Sequence, residues 1–270
     1  MRAQLGESPI WDAGRGRVHW LDIPGRILHG FDPVTRQATH HALAARVTAI
    51  ALCADGGLIG CGDAGVVRVD PDSGRLAPLA PLALPPGMRC NDGAVAPDGS
   101  FWFGTMAENG SGRPGQLLRY DPGGGITCIA PDILVPNGPA FLPDGRVVIA
   151  DTAARVLWAL DADGDQAWDD RQCFARFDPE DGKPDGMAID REGNLWIALW
   201  DGACLRRFAA DGTARETLAL PVRRPTRPAF GGADHDKLFV TSAAIGAAPG
   251  DTLAGVLLEA HPIKPDCPRA

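Results

Sequence analysis

The sequence predicts an all-β fold, and within that class a six-bladed β-propeller formed by a single domain, residues 1–270. The chain contains 34 glycines and 24 prolines, which interrupt it too often for long helices. Short apolar runs are separated by Asp-Gly or Glu-Gly steps, a pattern typical of strands joined by hairpin turns. These units recur every 41 to 48 residues, which is the length of a four-stranded blade.

The repeat is defined by a station, the residue seven positions before each turn. The stations are Glu7, Thr48, Asn91, Asn137, Asp185 and, counted back from a turn near Asp234, Arg227. Their successive separations are 41, 43, 46, 48 and 42 residues. After each turn comes an apolar strand, as in the segments Val95–Phe103, Phe141–Ile149 and Ile189–Ile197. Six such units account for nearly the whole chain.

Charge and hydropathy exclude several classes of partner. The formal net charge is −8 and the chain has no basic stripe, so nucleic acid and anionic membranes are poor candidates. The first residues contain no apolar signal segment, and no later run approaches the length of a membrane span. We therefore expect a cytoplasmic protein with no membrane partner and no obligate protein partner.

Four of the six stations carry oxygen-bearing side chains suited to a metal ion. In a propeller the innermost strands surround the central channel, so equivalent residues at their starts face one channel mouth. Glu7, Asn91, Asn137 and Asp185 would place two carboxylates and two amide oxygens there, a set that suits Ca²⁺, Mg²⁺ or Mn²⁺ and tolerates Zn²⁺ or Fe²⁺. Asn or Asp before Gly is also a common turn former, but Glu7 has no such explanation.

Residues near the stations are candidates for substrate contact. Arg89 lies two positions before Asn91, so on a strand both side chains share one face. Glu108 or Asn109, in the loop after the next strand, can reach over the channel mouth. No serine lies in a G-x-S-x-G motif and no histidine pair has metal-ligand spacing, so hydrolysis here would depend on a metal ion and carboxylates.

Five segments, in order, resemble the successive signatures of the SMP-30/gluconolactonase/regucalcin-like family. They are Gly6–Asp12, Arg89–Gly93, Pro136–Pro139, Pro184–Met187 and Thr226–Gly232. The likeness covers nearly the whole chain. It implies a six-bladed propeller with a divalent ion in its central channel and a role in carbohydrate metabolism.

The resemblance also implies an activity and roles for individual residues. The activity is hydrolysis of a sugar lactone, such as glucono-, xylono-, galactono- or arabinonolactone, to the aldonic acid. Glu7, Asn137 and Asp185 would hold one divalent ion, either Ca, Zn, Mn, Mg or Fe, and Asp185 would also donate and accept the proton. Substrate contacts would come from the segment Arg89–Asp92, namely Arg89, Asn91 and Asp92, and from Glu108 or Asn109.

Physical chemistry supports this mechanism without the family name. A cation polarises a lactone carbonyl and stabilises the developing oxyanion, and a nearby carboxylate accepts a proton from water and returns one to the leaving oxygen. Fold and metal do not determine the substrate, however. A hydrolase of another ester, such as an organophosphate or aryl lactone, and a noncatalytic calcium-binding propeller remain alternatives.

Overall fold

The computed structural model describes residues 2–110, 112–162, 168–233 and 235–260. These residues form 23 β-strands and a single 3₁₀ turn, Pro179–Asp181. The predicted all-β class is therefore confirmed. Asp234, from which the sixth station was counted, lies outside the described residues.

Consecutive strands assemble into six antiparallel sheets. The first blade contains β1 (Gly6–Asp12), β2 (Arg17–Asp22), β3 (Ile27–Phe31) and β4 (Ala38–Ala42). The second contains β5 (Val47–Leu52), β6 (Leu58–Gly62), β7 (Gly65–Val69) and β8 (Leu76–Ala80). The third contains β9 (Met88–Val95), β10 (Phe101–Ala107), β11 (Gly115–Asp121) and β12 (Gly125–Ile133).

The remaining three sheets continue this order. The fourth blade contains β13 (Pro136–Phe141), β14 (Arg146–Asp151), β15 (Val156–Asp161) and β16 (Gln172–Arg176). The fifth contains β17 (Lys183–Ile189), β18 (Leu195–Trp200), β19 (Cys204–Phe208) and β20 (Ala214–Ala219). The sixth has three strands among the described residues, β21 (Pro225–Gly231), β22 (Lys237–Ser242) and β23 (Leu258–Ala260).

The first strand of each blade is the innermost one. Each of β1, β5, β9, β13, β17 and β21 contacts the innermost strand of the next blade, and β21 contacts β1. A bridge between Leu5 and Ala243 and a hydrogen bond from Thr226 Oγ1 to the Gly6 carbonyl, 2.6 Å, join the sixth blade to the first. The ring is thus closed, and the predicted six-bladed propeller is confirmed.

Apolar side chains fill the six interfaces between consecutive blades. Phe101 and Phe103 of the third blade, for example, pack in one cluster with Ile59 of the second. Phe239 of the sixth blade packs with Val18 and Trp20 of the first. Burial of each such side chain stabilises the fold by about 1.5–3 kcal/mol. The interfaces therefore hold the innermost strands in place around the channel.

Each innermost strand has an irregularity in its pairing at the station. The register shifts at Glu7–Ile10, Val47–Ala49, Cys90–Gly93, Asn137–Ala140, Pro184–Met187 and Pro225–Pro228. Such a bulge bends the strand and redirects a side chain. The predicted phase of the stations thus corresponds to a repeated structural feature, with one refinement. In the sixth blade the irregular segment contains Thr226 as well as Arg227.

None of the helical segments in the described part of the chain is long and apolar enough to span a bilayer.

Candidate active site

A cavity of about 260 Å³ lies at the end of the central channel where the innermost strands begin. Its walls come from the first, third, fourth and fifth blades and from the N-terminal segment. They are formed by Leu5, Glu7, Arg89, Asn91, Met106, Asn109, Gly110, Val135, Asn137, Thr152, Ala153, Lys183, Asp185 and Trp200. The structure therefore brings together six of the predicted site residues, which were drawn from distant parts of the chain.

Two buried carboxylates, Glu7 and Asp185, lie in this cavity. Glu7 is 8% exposed and Asp185 is 6% exposed. Burial, and then the charge of Asp92, raises the pKa of Glu7 to about 8. Burial, followed by the charges of Glu7 and Asp92, raises the pKa of Asp185 well above its usual range. Two carboxylates that repel each other in a buried site are stabilised by a bound divalent cation.

A chain of hydrogen bonds orients the amides of Asn91 and Asn137. Arg89 Nη1 donates to Asn91 Oδ1, 2.9 Å, and Asn91 Nδ2 donates to the Pro136 carbonyl, 2.9 Å. Because a guanidinium can only donate and a carbonyl can only accept, the orientation of the Asn91 amide is fixed. Its Nδ2 therefore also donates to Asn137 Oδ1, at 3.0 Å.

Thr152 completes the same chain from the other side. Its hydroxyl donates to the Pro184 carbonyl, 2.6 Å, so it can only accept from Asn137 Nδ2, 2.8 Å away. The amide nitrogen of Asn137 thus faces Thr152, and Asn137 Oδ1 keeps one lone pair beyond its bond to Asn91. Since Pro184 precedes Asp185, Thr152 also ties the strand of Asn137 to that of Asp185.

These residues fit a hard divalent cation. Within residues 2–110, 112–162, 168–233 and 235–260, no group of three or more His, Cys, Asp or Glu side chains is arranged to hold a metal ion. A cation at Glu7 and Asp185 therefore requires a further ligand of another type, and Asn137 Oδ1 is oriented to provide it. Carboxylate and amide oxygens together suit Ca²⁺, Mg²⁺ or Mn²⁺.

Two predicted substrate contacts have other partners in the structure. Asp92 is 3% exposed and does not line the cavity; its carboxylate accepts from Gly93 N, 2.8 Å, and Gly138 N, 3.0 Å, and is ion-paired with Arg227. Glu108 is also outside the cavity wall and binds Arg46, with Nη2 and Oε1 2.6 Å apart. Asp92 and Glu108 are thus held by protein cations, whereas Asn109 lines the cavity.

Sequence reasoning missed three polar or aromatic residues of the cavity. Thr152 directly follows β14, and Lys183 and Trp200 are paired across β17 and β18. Arg224 lies over the Trp200 ring, 5.1 Å from its centroid, and is bound to Asp201. The ring of Trp200 is therefore held in place by its contact with Arg224. No repeat phase marks these positions, although Lys183, two residues before Asp185 on one strand, was detectable from alternation.

A family model described as the SMP-30/gluconolactonase/LRE-like region matches residues 5–244. The chain belongs to this family. The matched range contains all six stations and every residue lining the cavity. The predicted family resemblance is confirmed.

Relatives within this family include named lactonases. The chain is 33% identical over 254 residues to a pentonolactonase of Haloferax volcanii, covering 93% of this chain and 85% of that protein. It is 35% identical over 243 residues to a 6-deoxy-6-sulfogluconolactonase of Pseudomonas putida, covering 88% and 83% respectively. Among solved structures, it is similar to regucalcin of Agrobacterium tumefaciens, described as a calcium-binding protein, with TM-score 0.88, 29% identity, and 96% and 90% coverage.

Replacement of Thr152 by valine tests the orientation of Asn137. Valine has nearly the same shape but cannot accept from Asn137 Nδ2, so the amide loses its fixed orientation. We expect the dissociation constant for Mn²⁺, measured by isothermal titration calorimetry, to rise about 10-fold or more. Thr152→Ser keeps the hydroxyl and should bind Mn²⁺ like the wild-type protein. Wild-type affinity in the valine variant would contradict this role.

The raised pKa of Glu7 predicts a pH-dependent metal affinity. Glu7 must lose its proton to bind a cation, and its pKa is about 8 in the metal-free protein against an ordinary value of 4.5. Mn²⁺ affinity should therefore rise from pH 6 to pH 8, about tenfold per pH unit for each proton released. The folded state binds the proton of Glu7 more tightly than the unfolded state does. The free energy of unfolding of the metal-free protein should therefore fall as the pH rises from 4.5 to 8. Equal Mn²⁺ affinities at pH 6 and pH 8 would contradict the raised pKa of Glu7.

Proposed function

We propose that this protein is a divalent-metal-dependent sugar lactonase, which hydrolyses the ester ring of an aldonolactone to the aldonic acid. The observation that carries the proposal is the arrangement of Glu7, Asp185 and the oriented Asn137 amide in one cavity. The family membership and the names of the lactonase relatives support the same reaction.

Glu7, Asn137 and Asp185 would hold the cation. When bound there, a divalent cation acts as a Lewis acid that polarises the lactone carbonyl and makes water more acidic. Asp185 accepts a proton from the attacking water at its carboxylate and returns it to the ring oxygen as the ester bond breaks. Burial raises the pKa of Asp185 in the metal-free protein, which favours acceptance of the proton from water, and a bound cation would lower that pKa again and favour its return.

Other residues of the cavity would position the sugar. Arg89, whose side chain is 12% exposed, uses Nη1 for Cys90 and Asn91, and its Nε lies 3.7 Å from Glu108 Oε2, so its Nη2 is the nitrogen best suited to bind a sugar hydroxyl group. Asn91 has both amide hydrogens engaged by protein carbonyl oxygens, so its main role is to connect Arg89 to Asn137. Asn109 and the ring of Trp200 line the same cavity, where they can contact distal parts of the substrate.

Several sugars and several divalent metals are compatible with this site. Ligand chemistry accommodates Ca²⁺, Mg²⁺, Mn²⁺, Zn²⁺ or Fe²⁺. Pentonolactone, gluconolactone and a 6-sulfo derivative form the first substrate panel because of the names of the relatives. The cytoplasmic location remains a prediction.

Metal removal and replacement of Asp185 test the proposal together. After EDTA treatment, lactone opening followed with a pH indicator should fall to the uncatalysed rate and recover on addition of one of the five metals. Asp185→Asn should lower kcat/KM about 10²- to 10⁴-fold, because it removes the proton acceptor. Asp211→Ala, an exposed carboxylate in a turn of the same blade, is the matched control.

The outcomes separate this proposal from its alternatives. Uncatalysed rates with every lactone and every metal would refute the sugar lactonase. Hydrolysis of paraoxon or an aryl lactone in the same assay, without sugar lactone opening, would assign another ester as substrate. Full activity in Asp185→Asn would refute the site.

A further inference from the structure

A buried ion pair crosses the channel beneath the candidate active site. Arg227 lies on β21 of the sixth blade, and Asp92 lies on β9 of the third, which is the opposite blade in a ring of six. Arg227 Nη1 donates to Asp92 Oδ1 and to the Gly93 carbonyl, the latter at 3.0 Å. The side chains of Arg227 and Asp92 are 13% and 3% exposed, so this contact is shielded from solvent.

Arg227 contacts or tethers the bulges of three other blades. Its aliphatic stem lies against Gly186, next to Asp185; a Cβ at that glycine would come within 2.5 Å of Arg227 Cβ and 2.6 Å of its Cγ. Its guanidinium holds Asp92, whose Oδ2 accepts from Gly138 N, 3.0 Å, the residue after Asn137. One side chain thus connects the backbone segments that carry Asn91, Asn137 and Asp185.

Arg227 lines a second cavity, about 440 Å³, which is bordered by the later residues of the innermost strands, among them Trp11, Phe141 and Met187. No described residue lines both this cavity and the one containing Glu7 and Asp185. Arg227 therefore borders the second cavity and not the one that contains Glu7 and Asp185, and its contacts with the candidate site run through Asp92 and Gly186.

We propose that Arg227 is a positioning residue for the metal site: it ties the bulges of the third, fourth and fifth blades together. This inference rests on the proposed function for its consequence in catalysis. The tie itself concerns the folded chain and is measured without a lactone.

Charge alone would give Arg227 a different role. The bulges carry three buried carboxylates, those of Glu7, Asp92 and Asp185. Arg227 forms an ion pair with Asp92. If neutralisation of Asp92 were its whole effect, loss of Arg227 would add a negative charge near the site and tighten cation binding. If it positions the bulges, its loss weakens cation binding even when Asp92 is made neutral as well.

The test compares Arg227→Met with the double variant Asp92→Asn/Arg227→Met. We expect the dissociation constant for Mn²⁺ alone, measured by calorimetry, to rise about 10- to 100-fold in the double variant. In the metal-free proteins, backbone hydrogen exchange at Gly93 and Gly138 should become at least about tenfold faster in both variants, because their local anchor is lost. Arg227→Lys, which keeps a cationic donor, should restore part of both properties.

Arg223→Met is the matched control, since Arg223 lies four residues earlier, is 73% exposed and pairs with Asp201. It should leave Mn²⁺ affinity and the exchange of both glycines unchanged.

Tighter Mn²⁺ binding in Arg227→Met with wild-type binding in the double variant would overturn the proposal in favour of charge. Unchanged exchange, or faster exchange with unchanged Mn²⁺ affinity in the double variant, would also overturn it. Absence of lactone hydrolysis would contradict the proposed function. The comparisons of Mn²⁺ affinity and hydrogen exchange would still decide the role of Arg227.

Discussion

The candidate site depends on one repeated irregularity, the break in pairing near the start of every innermost strand. Regular antiparallel pairing would direct alternate side chains into the two neighbouring blade interfaces. A bulge turns the backbone, and around the ring it aims Glu7, Asn137 and Asp185 toward the axis instead. The apolar interfaces between blades hold these six strands in a closed ring. Fold stability and site geometry are thus provided by different parts of each strand.

Burial of acidic groups carries an energetic cost in this arrangement. A carboxylate removed from water loses several kcal/mol of solvation unless a partner compensates it. Asp92 is compensated by Arg227 and by two backbone N–H groups. Glu7 and Asp185 are left with raised pKa values, so the metal-free protein retains protons where a cation would otherwise bind. The unequal environments of these three carboxylates distinguish the proposed ligands, Glu7 and Asp185, from Asp92 in its ion pair.

Repeat length and phase were sufficient to predict the six blades and the residues that converge on the channel. Glu7, Asn91, Asn137 and Asp185 share a position in the repeat, and the bulges show why that position is special. The spacing could not predict Thr152 or Trp200, because they lie at the ends of second strands and reach the site through pairing. Nor could it predict that Asp92 binds Arg227 across the channel, since that contact depends on the closed ring. In the sixth blade, counting seven residues back led to Arg227, although Thr226 shares its bulge and closes the ring to Gly6.

The central claim is that Glu7, Asn137 and Asp185 together hold one divalent cation. The most direct measurement is an anomalous difference map from crystals of this protein loaded with Mn²⁺. The account predicts one strong peak on the channel axis within about 2.0–2.6 Å of an oxygen of each of these three side chains. A map with no peak at this place under saturating Mn²⁺, or with a peak bound to other residues, would contradict it.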